Sequence, residues 1–227
     1  MKPLNIAIVV FSLLFGISCS NTNTEKTTEQ ETVVTEYTPL VIKPAYVESI
    51  TMNDSISKEL LIRGREIAGK AKIALKIELT NSIKKNGLAN SISFCNQRAM
   101  EITDSIALQE QVMIKRLAKK NRNSYNKMSE NESNLYKSFV IESLTSNWIQ
   151  AQVGWDEQGR PVYYNPIVTE ALCLNCHGKP GTDINPEVAE RIAQVYPDDK
   201  AINFEVGQLR GMWAITFPEY MVVGAER

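Results

Sequence analysis

The stretch QAQVGWDEQGRPVYYNPI, residues 150–167, has the pattern of a β-hairpin. Apolar and aromatic residues stand on both sides of the polar segment DEQG, residues 156–159, which ends in glycine. Polar turns that contain glycine commonly join two neighbouring antiparallel strands. The segment RGMWAITF, residues 210–217, is rich in apolar and aromatic residues and predicts a further strand. These segments therefore predict a β-hairpin, the smallest antiparallel sheet, and one further strand.

Long helices are predicted before this sheet. The first begins at the cap candidate Asn53 and ends at Gly87, after two lysines. The second covers roughly residues 88–103, where spacings of three and four place on one face Ile92, Cys95, Ala99 and Ile102. Cys95 is thereby predicted to point toward the interior. The segment NPEVAERIAQVYP, residues 185–197, starts with a capping Asn and a Pro and ends at a Pro, which is typical of a helix. The predicted class is α+β.

The N-terminal residues 1–18 have the order of a secretory signal, with one lysine, an apolar run and then small residues. The apolar run is too short to span a bilayer comfortably. The following GISC, ending at Cys19, resembles a bacterial lipoprotein lipobox, with Gly16 where leucine is more usual. The resemblance implies cleavage before Cys19 and a lipid on its thiol. An ordinary signal peptide with a spare cysteine is the alternative.

Residues 19–52 are predicted to form a disordered tether, because the segment from Ser20 to Thr38 is rich in Thr, Asn and Glu and offers few core-forming groups. Order is expected to begin near Asn53. Residues 53–227 are then one main domain, since 43% of the chain is hydrophobic and can supply a core.

The charge balance bears on the class of partner. The chain has 25 Lys and Arg against 26 Asp and Glu, for a net charge of -1. Such a balance argues against strong attraction to nucleic acid or to an anionic membrane surface through bulk charge. Nucleic acid is therefore not an expected partner.

The segment ALCLNCHGKP, residues 171–180, contains the only histidine of the chain, His177, directly after Cys176. Together with Cys173 these residues form Cys-x-x-Cys-His, the attachment signature of a c-type haem. Two thiols three positions apart can each bond to one vinyl-derived carbon of the porphyrin, and the next residue supplies an imidazole nitrogen to the iron. One covalently attached haem c is the predicted cofactor.

The motif has two alternative interpretations. A redox-active Cys-x-x-Cys pair usually opens a helix in a βαβ unit, which this segment flanked by Gly and Pro does not suggest. A structural zinc site needs four ligands. Once Cys19 carries a lipid, only Cys95 remains to complete them, and the adjacent Cys176 and His177 would converge on one ion with difficulty. Both readings are less favoured than haem.

Several segments resemble the periplasmic haem-binding, PAS-like family once catalogued as a domain of unknown function, which occurs alone or as the sensing module of histidine kinases. The resemblance covers about residues 55–220. It is carried by YYNPIVTEALCLNCHGKP (163–180), YPDDKAINFEVGQLRGMWAITF (196–217), RNSYNKMSENE (122–132) and SISFCNQRA (91–99). Ser124 stands where the family usually has proline. The resemblance implies a PAS-like antiparallel sheet with a covalently attached haem, and it corresponds to the stand-alone form.

The composition of the chain alone does not decide which residue binds the far side of the iron. No second histidine exists, so the candidates are Cys95, a lysine, a methionine such as Met128 or Met212, or no residue. Members of the resembled family use a cysteine thiolate at the position matching Cys95. The resemblance therefore implies Cys95 as the second iron ligand.

Arginines are candidates for pairing with the haem propionates, because guanidinium binds carboxylate through two hydrogen bonds. Arg122 and Arg210 are the predicted pair, with an ordinary structural role as the alternative for each. Three tryptophans could either wall a pocket or belong to the core, namely Trp148, Trp155 and Trp213.

These features predict an extracytoplasmic, lipid-anchored mono-haem c-type cytochrome that acts as a redox or small-ligand sensor, with CO or NO as example ligands. The alternative is an electron-transfer cytochrome that serves an unidentified partner protein. An enzyme is not expected, because peroxide chemistry needs a distal acid-base group and the usual histidine is unavailable for it. Ser20 after Cys19 does not resemble an inner-membrane retention signal, so the expected location is the periplasmic face of the outer membrane.

Overall fold

A computed structural model of the chain describes residues 37–146 and 148–224, except for the side chains of residues 94–97. Within the described residues the elements in chain order are β1 (Glu48–Ile50), α1 (Asp54–Glu110), β2 (Met113–Leu117), a short 3-10 helix (Ser124–Asn126), α2 (Glu130–Thr145), β3 (Gln152–Trp155), β4 (Pro161–Val168), α3 (Ala171–His177), α4 (Pro186–Val195), β5 (Leu209–Thr216) and β6 (Tyr220–Val222). Among these helices, none is both long and apolar enough to cross a membrane.

The central sheet has the strand order β2-β5-β4-β3, and all its pairings are antiparallel. The predicted hairpin is confirmed as β3 and β4, with Gln152 opposite Tyr164. The Asp156 side chain shapes the turn, because its Oδ1 accepts hydrogen bonds from the backbone N–H of Gln158 and of Arg160, both at 3.0 Å. Gly159 completes the turn with a φ of 76°, which glycine adopts without steric cost. The predicted strand near residues 210–217 is β5.

Alternating residues divide the sheet between two helices, as expected because successive strand side chains point to opposite faces. On one face Tyr163, Trp213 and Ile215 pack with Leu60 and Ile67 of α1. On the other face Tyr164, Met212 and Ala214 pack with Phe139 of α2. The sheet therefore lies between α1 and α2, and the predicted α+β class is confirmed.

Helix α1 contains a kink that divides it near the predicted boundary between two helices. Asn53 caps its start, with Oδ1 accepting from Ile56 N at 3.0 Å. Gly87 has non-helical φ and ψ of 79° and 171°. The second part continues to Glu110, beyond the predicted end at Thr103. The kink allows the first part to cover the sheet while the second part packs against α4.

The predicted tether, residues 19–52, needs a correction at its C-terminal end. Strand β1 pairs in parallel with β6, and Ile42 and Ile50 are buried. A strand of three residues is too short to show a clear alternation, and its partner lies near the other end of the sequence. Ordered structure therefore starts before Asn53. The predicted signal, residues 1–18, lies outside the described residues.

Candidate functional site

The Cys-x-x-Cys-His motif lies on α3, a helix of seven residues that directly follows β4. The thiols of Cys173 and Cys176 are free and both residues are partly buried. The backbone N–H of Glu170 donates to Cys173 Sγ at 3.3 Å, which orients this sulfur at the start of the helix. Burial raises the pKa of the Cys176 thiol. The motif is helical, although its Gly and Pro flanks had not suggested a helix.

The imidazole of His177 is oriented by a backbone carbonyl. Its Nδ1 lies 2.7 Å from the carbonyl oxygen of Ala201. A carbonyl can only accept a hydrogen bond, so Nδ1 carries the proton and Nε2 keeps its lone pair. Burial lowers the pKa of His177 well below its usual value, and the cations Arg210 and Arg122 lower it further. The ring is therefore held neutral, the form that binds metals.

The segment that supplies this carbonyl is tied to the end of α3. The backbone N–H of Phe204 donates to the carbonyl of His177, and that of Asn203 donates to the carbonyl of Gly178, both at 2.9 Å. The Phe204 ring stands edge-on to the imidazole, with 6.4 Å between ring centroids. Residues 201–204 and the C-terminal turn of α3 therefore form one hydrogen-bonded unit around His177.

Arg122 joins the same unit from the loop after β2. Its Nη2 donates to the carbonyl of Cys176 at 2.6 Å and to Asp199 Oδ2 at 2.9 Å. The ion pair is shielded from water, since the side chains of Arg122 and Asp199 are only 11% and 8% exposed. Arg122 thus connects the Cys-x-x-Cys-His motif to the segment that carries Ala201.

Arg210, at the start of β5, lies near Arg122 and His177 and makes fewer hydrogen bonds than Arg122 does. Its Nη1 donates to the carbonyl of Lys120 at 2.9 Å, and its guanidinium lies 5.2 Å from the centroid of the Phe204 ring. The Nζ of Lys120 lies over the same ring at 4.5 Å. Burial, and then the charge of Arg122, lowers the pKa of Arg210 to about 10. A nearby anion would stabilise the charged form of such a buried guanidinium.

The charges around His177 fit an anionic group with hydrogen-bond acceptors. Within the described part of the chain, the Nε atoms of Arg122 and Arg210 are buried without a hydrogen-bond partner. Buried donors of this kind are costly unless something accepts from them. The two propionates of a haem have the required charge and acceptor oxygens, so the residues present fit the predicted cofactor on this count.

The second part of α1 packs beside the motif. Ile92 lies in a buried cluster with Val188 and Ile192 of α4, and the partly buried Cys176 packs against that cluster. Cys95 belongs to this part of α1, but its side chain is outside what the structure describes. The structure thus brings Cys173, Cys176, His177, Arg122 and Arg210 to one region. The predicted lipidation site, Cys19, lies outside the described residues.

The other side chains considered from sequence have core or surface positions. Met128 and Met212 lie in the cluster between the sheet and α2, which indicates packing. Trp213 belongs to the cluster under α1. Trp148 and Trp155 are exposed. In the described part of the chain no group of three or more His, Cys, Asp or Glu side chains is placed to hold a metal ion.

Residues of this region that the sequence did not single out include Lys120, Asp199, Ala201 and Phe204. Ala201 acts through its backbone carbonyl, which every residue type possesses, so no side-chain signal marks it. Asp199 lies in the quoted YPDD stretch, but its partner Arg122 is 77 positions away. Only the folded chain shows that the two segments meet.

A family model described as Tll0287-like: Tll0287 matches residues 20–218. A solved structure with a similar fold is described as the crystal structure of the cyanobacterial heme-protein Tll0287. The two chains are 22% identical with a TM-score of 0.50, and the match covers 75% of this chain and 99% of that chain. No curated protein gave a significant match. At this identity the structural likeness concerns the fold, and it agrees with the α+β architecture.

Proposed function

The chain belongs to the Tll0287-like family, and from this premise we propose that it is a cytochrome-like haem protein with one covalently attached haem c. Cys173 and Cys176 supply the two thioether bonds, and His177 supplies an iron ligand. A structural neighbour of the same fold is described as a heme-protein, which supports haem binding in general terms. The covalent attachment is our own inference from the motif.

The observation that carries the proposal is the orientation of His177 beside two free thiols. The imidazole donates from Nδ1 to Ala201, so Nε2 is the nitrogen left for iron. Cys173 and Cys176 lie on the same short helix, four residues and one residue before it, and neither is in a disulfide. The three groups are therefore available together in the chemical forms that attachment and ligation require.

Arg210 is the residue we assign to a propionate. Its buried Nε lacks an acceptor, and its Nη1 contacts only a backbone carbonyl among the hydrogen bonds described. Arg122 can contribute through its Nε and its charge, while its Nη2 is engaged with Cys176 and Asp199. Pairing with an anion would satisfy donors that the protein leaves unsatisfied.

Cys95 is the proposed second iron ligand. Its place on α1, three residues after the buried Ile92, puts it on the helix segment that packs beside Cys176. The bound haem would supply one-electron redox chemistry at the iron. As a thiolate, Cys95 is an anionic donor that favours the ferric over the ferrous state, and it leaves more readily once the charge on the iron is lowered.

We propose a sensing role, with release of Cys95 as the reporting event. Release would open a coordination position to a small ligand such as CO or NO and free the second part of α1 to move relative to α4. The alternative is electron transfer to a partner protein, in which Cys95 stays bound in both redox states. No enzymatic role is proposed.

An optical and EPR redox titration of the protein, produced with haem-maturation machinery, tests this function. A sensor should show a low-spin ferric spectrum with a thiolate charge-transfer band and should bind CO only after reduction. A carrier should keep both ligands in both states and exclude CO. A ferric spectrum without a thiolate band would contradict ligation by Cys95, and exclusion of CO from the reduced protein would contradict the sensing role.

A further inference from the structure

We propose that Arg122 and Asp199 are positioning residues that fix the hydrogen-bond acceptor of His177 and thereby set its tautomer and its strength as an iron ligand. The inference deepens the proposed haem-binding function and rests on it. It differs from the expectation that Arg122 serves mainly as a counter-charge to a propionate.

The Ala201 peptide is held on both sides. Its N–H donates to Asp199 Oδ1 at 2.8 Å, and its carbonyl accepts from His177 Nδ1 at 2.7 Å. Arg122 Nη2 reaches the same carbonyl oxygen at 3.3 Å. Ala201 itself is fully buried, so water does not offer the imidazole a competing acceptor at this point. The position of the carbonyl is therefore determined by Asp199 and Arg122.

Arg122 also connects this peptide to the attachment motif. One nitrogen, Nη2, donates to the carbonyl of Cys176 and to Asp199 Oδ2, at 2.6 Å and 2.9 Å. Cys176 directly precedes His177, so the same guanidinium positions the backbone of the histidine and the acceptor of its ring. A change of Arg122 should therefore move both ends of the Nδ1–H to carbonyl hydrogen bond.

The consequence for the iron follows from the two ring nitrogens. The hydrogen bond made by one nitrogen of a metal-binding histidine decides which tautomer is present and how basic the other nitrogen is. A well-aligned Nδ1–H to carbonyl bond increases donation from Nε2 and favours ferric iron. If Arg122 and Asp199 hold that hydrogen bond in place, weakening their contacts with Ala201 should raise the reduction potential of the haem iron even when no charge is removed.

The side chain of Lys cannot reproduce the arrangement. The guanidinium is a planar group with several donors, whereas the ammonium is a compact charge on a flexible stem. Arg122→Lys therefore keeps the charge and loses the geometry. Asp199→Asn keeps an oxygen that can accept from Ala201 N–H and loses the ion pair. Arg191→Lys is a matched control, because Arg191 also has a buried Nε without a partner but contacts Ser93 and Gln194.

The first measurement uses the full chain produced without haem and labelled with 15N-histidine. The chain has one histidine, so every imidazole signal comes from His177. Wild type and Arg191→Lys should show the Nδ1–H tautomer almost exclusively. Arg122→Lys should show a mixture with the Nε2–H tautomer, and Asp199→Asn should shift the ratio in the same direction.

The second measurement is the reduction potential of the haem-loaded proteins. Arg122→Lys should shift the ferric to ferrous equilibrium toward the ferrous form by about tenfold, which is about 59 mV for a one-electron couple. Arg160→Lys, whose partner Asp156 lies in the turn between β3 and β4, should leave the potential at the wild-type value. Asp199→Asn also removes a negative charge, so its potential is interpreted together with its tautomer ratio.

The two measurements separate the inference from the function on which it rests. A wild-type tautomer ratio in both Arg122→Lys and Asp199→Asn would overturn the inference, and so would a wild-type potential in Arg122→Lys. If Arg122→Lys does not fold, the ratio in the nearly isosteric Asp199→Asn decides. Absence of attached haem from the wild-type protein would instead overturn the proposed function, and the tautomer data on the unloaded chain would still decide whether the network holds His177.

Discussion

At the scale of single residues, His177 has one ring nitrogen engaged by the protein and one left for a ligand. Its Nδ1 donates to Ala201, and its neighbours on α3 include two free thiols. Burial and the nearby arginines keep the imidazole neutral by lowering its pKa. These contacts fix the tautomer of His177, the only histidine of the chain, and leave Nε2 as the nitrogen that the proposed iron ligation would use.

The first prediction concerns Cys95. Replacement Cys95→Ser removes the proposed thiolate, and the ferric haem-loaded protein should then lose its charge-transfer band and change from low spin toward high spin. Optical and EPR spectra of the ferric state measure both changes. Met128→Leu is a suitable control, because Met128 packs in the core between the sheet and α2 and its replacement should leave the spectrum intact. A Cys95→Ser spectrum equal to wild type would contradict thiolate ligation.

The Cys-x-x-Cys-His motif is visible in the sequence because its three residues lie within five consecutive positions. Cys173, Cys176 and His177 form a signature whose spacing is itself the requirement. The environment of His177 is different, since it depends on a backbone carbonyl and on an ion pair between distant segments. No side-chain pattern encodes the carbonyl of Ala201, so the fold is needed to find it.

At the scale of elements, the sheet and α1 meet at a glycine. A Cβ added to Gly64 would overlap the ring of Tyr163, which is only 1% exposed. The helix approaches the sheet this closely only because residue 64 has no side chain. A Cβ added to Gly69, in the same helix, would point into open space.

This difference gives a second prediction. Gly64→Ala should destabilise the fold by about 1–3 kcal/mol, because the extra methyl group forces a shift of the helix or of Tyr163. Gly69→Ala should instead be neutral or stabilising by up to about 1 kcal/mol, because alanine is the better helix former. Chemical denaturation of the two variants measures the free energy of unfolding. Equal effects in both would contradict the close packing of α1 on the sheet.

A third prediction concerns the contact between α3 and α1. Glu170, just before α3, accepts from Lys72 Nζ at 2.9 Å and from Lys76 Nζ at 2.7 Å. Hydrogen bonds to the two lysines lower the pKa of Glu170 from 4.5 to about 2. Because the pKa is lowered in the folded state, the stabilisation is complete above the unfolded value and is lost as the pH falls toward 2.

Glu170→Gln should therefore reduce the free energy of unfolding at pH 7 by less than about 1 kcal/mol, since the pair is partly exposed and screened. The difference from wild type should shrink in high salt and on acidification from about pH 4.5 to 2. Denaturation curves across pH and salt measure it. Glu205→Gln, which breaks a surface pair with one lysine, is the control with a smaller expected effect. An undiminished difference at pH 2 would contradict the ion-pair account.

The elements differ in how far the sequence predicts them. The β3-β4 hairpin and α4 have local turn and cap residues, and both are found where these residues indicate. Strand β1 has only three residues and pairs with β6 near the other end of the chain, so local patterns do not show it. Strand β2 is also not predicted, and its pairing partner β5 is distant in sequence. Helix α2 is not predicted either, although Ser129 and Glu132 form a local capping box at its start.

At the scale of the whole molecule, we propose that a lipid on Cys19 anchors the folded unit outside the cytoplasm. The fourth prediction is that Cys19→Ala abolishes incorporation of labelled palmitate in the bacterial host and that globomycin causes the wild-type precursor to accumulate. The same chain with Cys95→Ser should still be labelled, which controls for a general loss of cysteine reactivity. Full palmitate labelling of Cys19→Ala would contradict lipidation at Cys19.

The family model places the chain among Tll0287-like proteins. The geometry around His177 serves the proposed function only if a haem is attached to the chain. Asp199 compensates the charge of Arg122, but the buried Nε atoms of Arg122 and Arg210 have no hydrogen-bond acceptor, which is costly without a ligand there. A bound dianionic cofactor would explain it. The entire functional account therefore depends on covalent attachment at Cys173 and Cys176.

The most direct test is the intact mass of the full chain after export together with haem-maturation machinery, measured under denaturing conditions. The account predicts that the polypeptide carries the mass of one haem, that the adduct survives unfolding, and that the double variant Cys173→Ser, Cys176→Ser lacks it. A colourless, exported wild-type protein without this added mass, or a haem released on unfolding, would contradict covalent attachment.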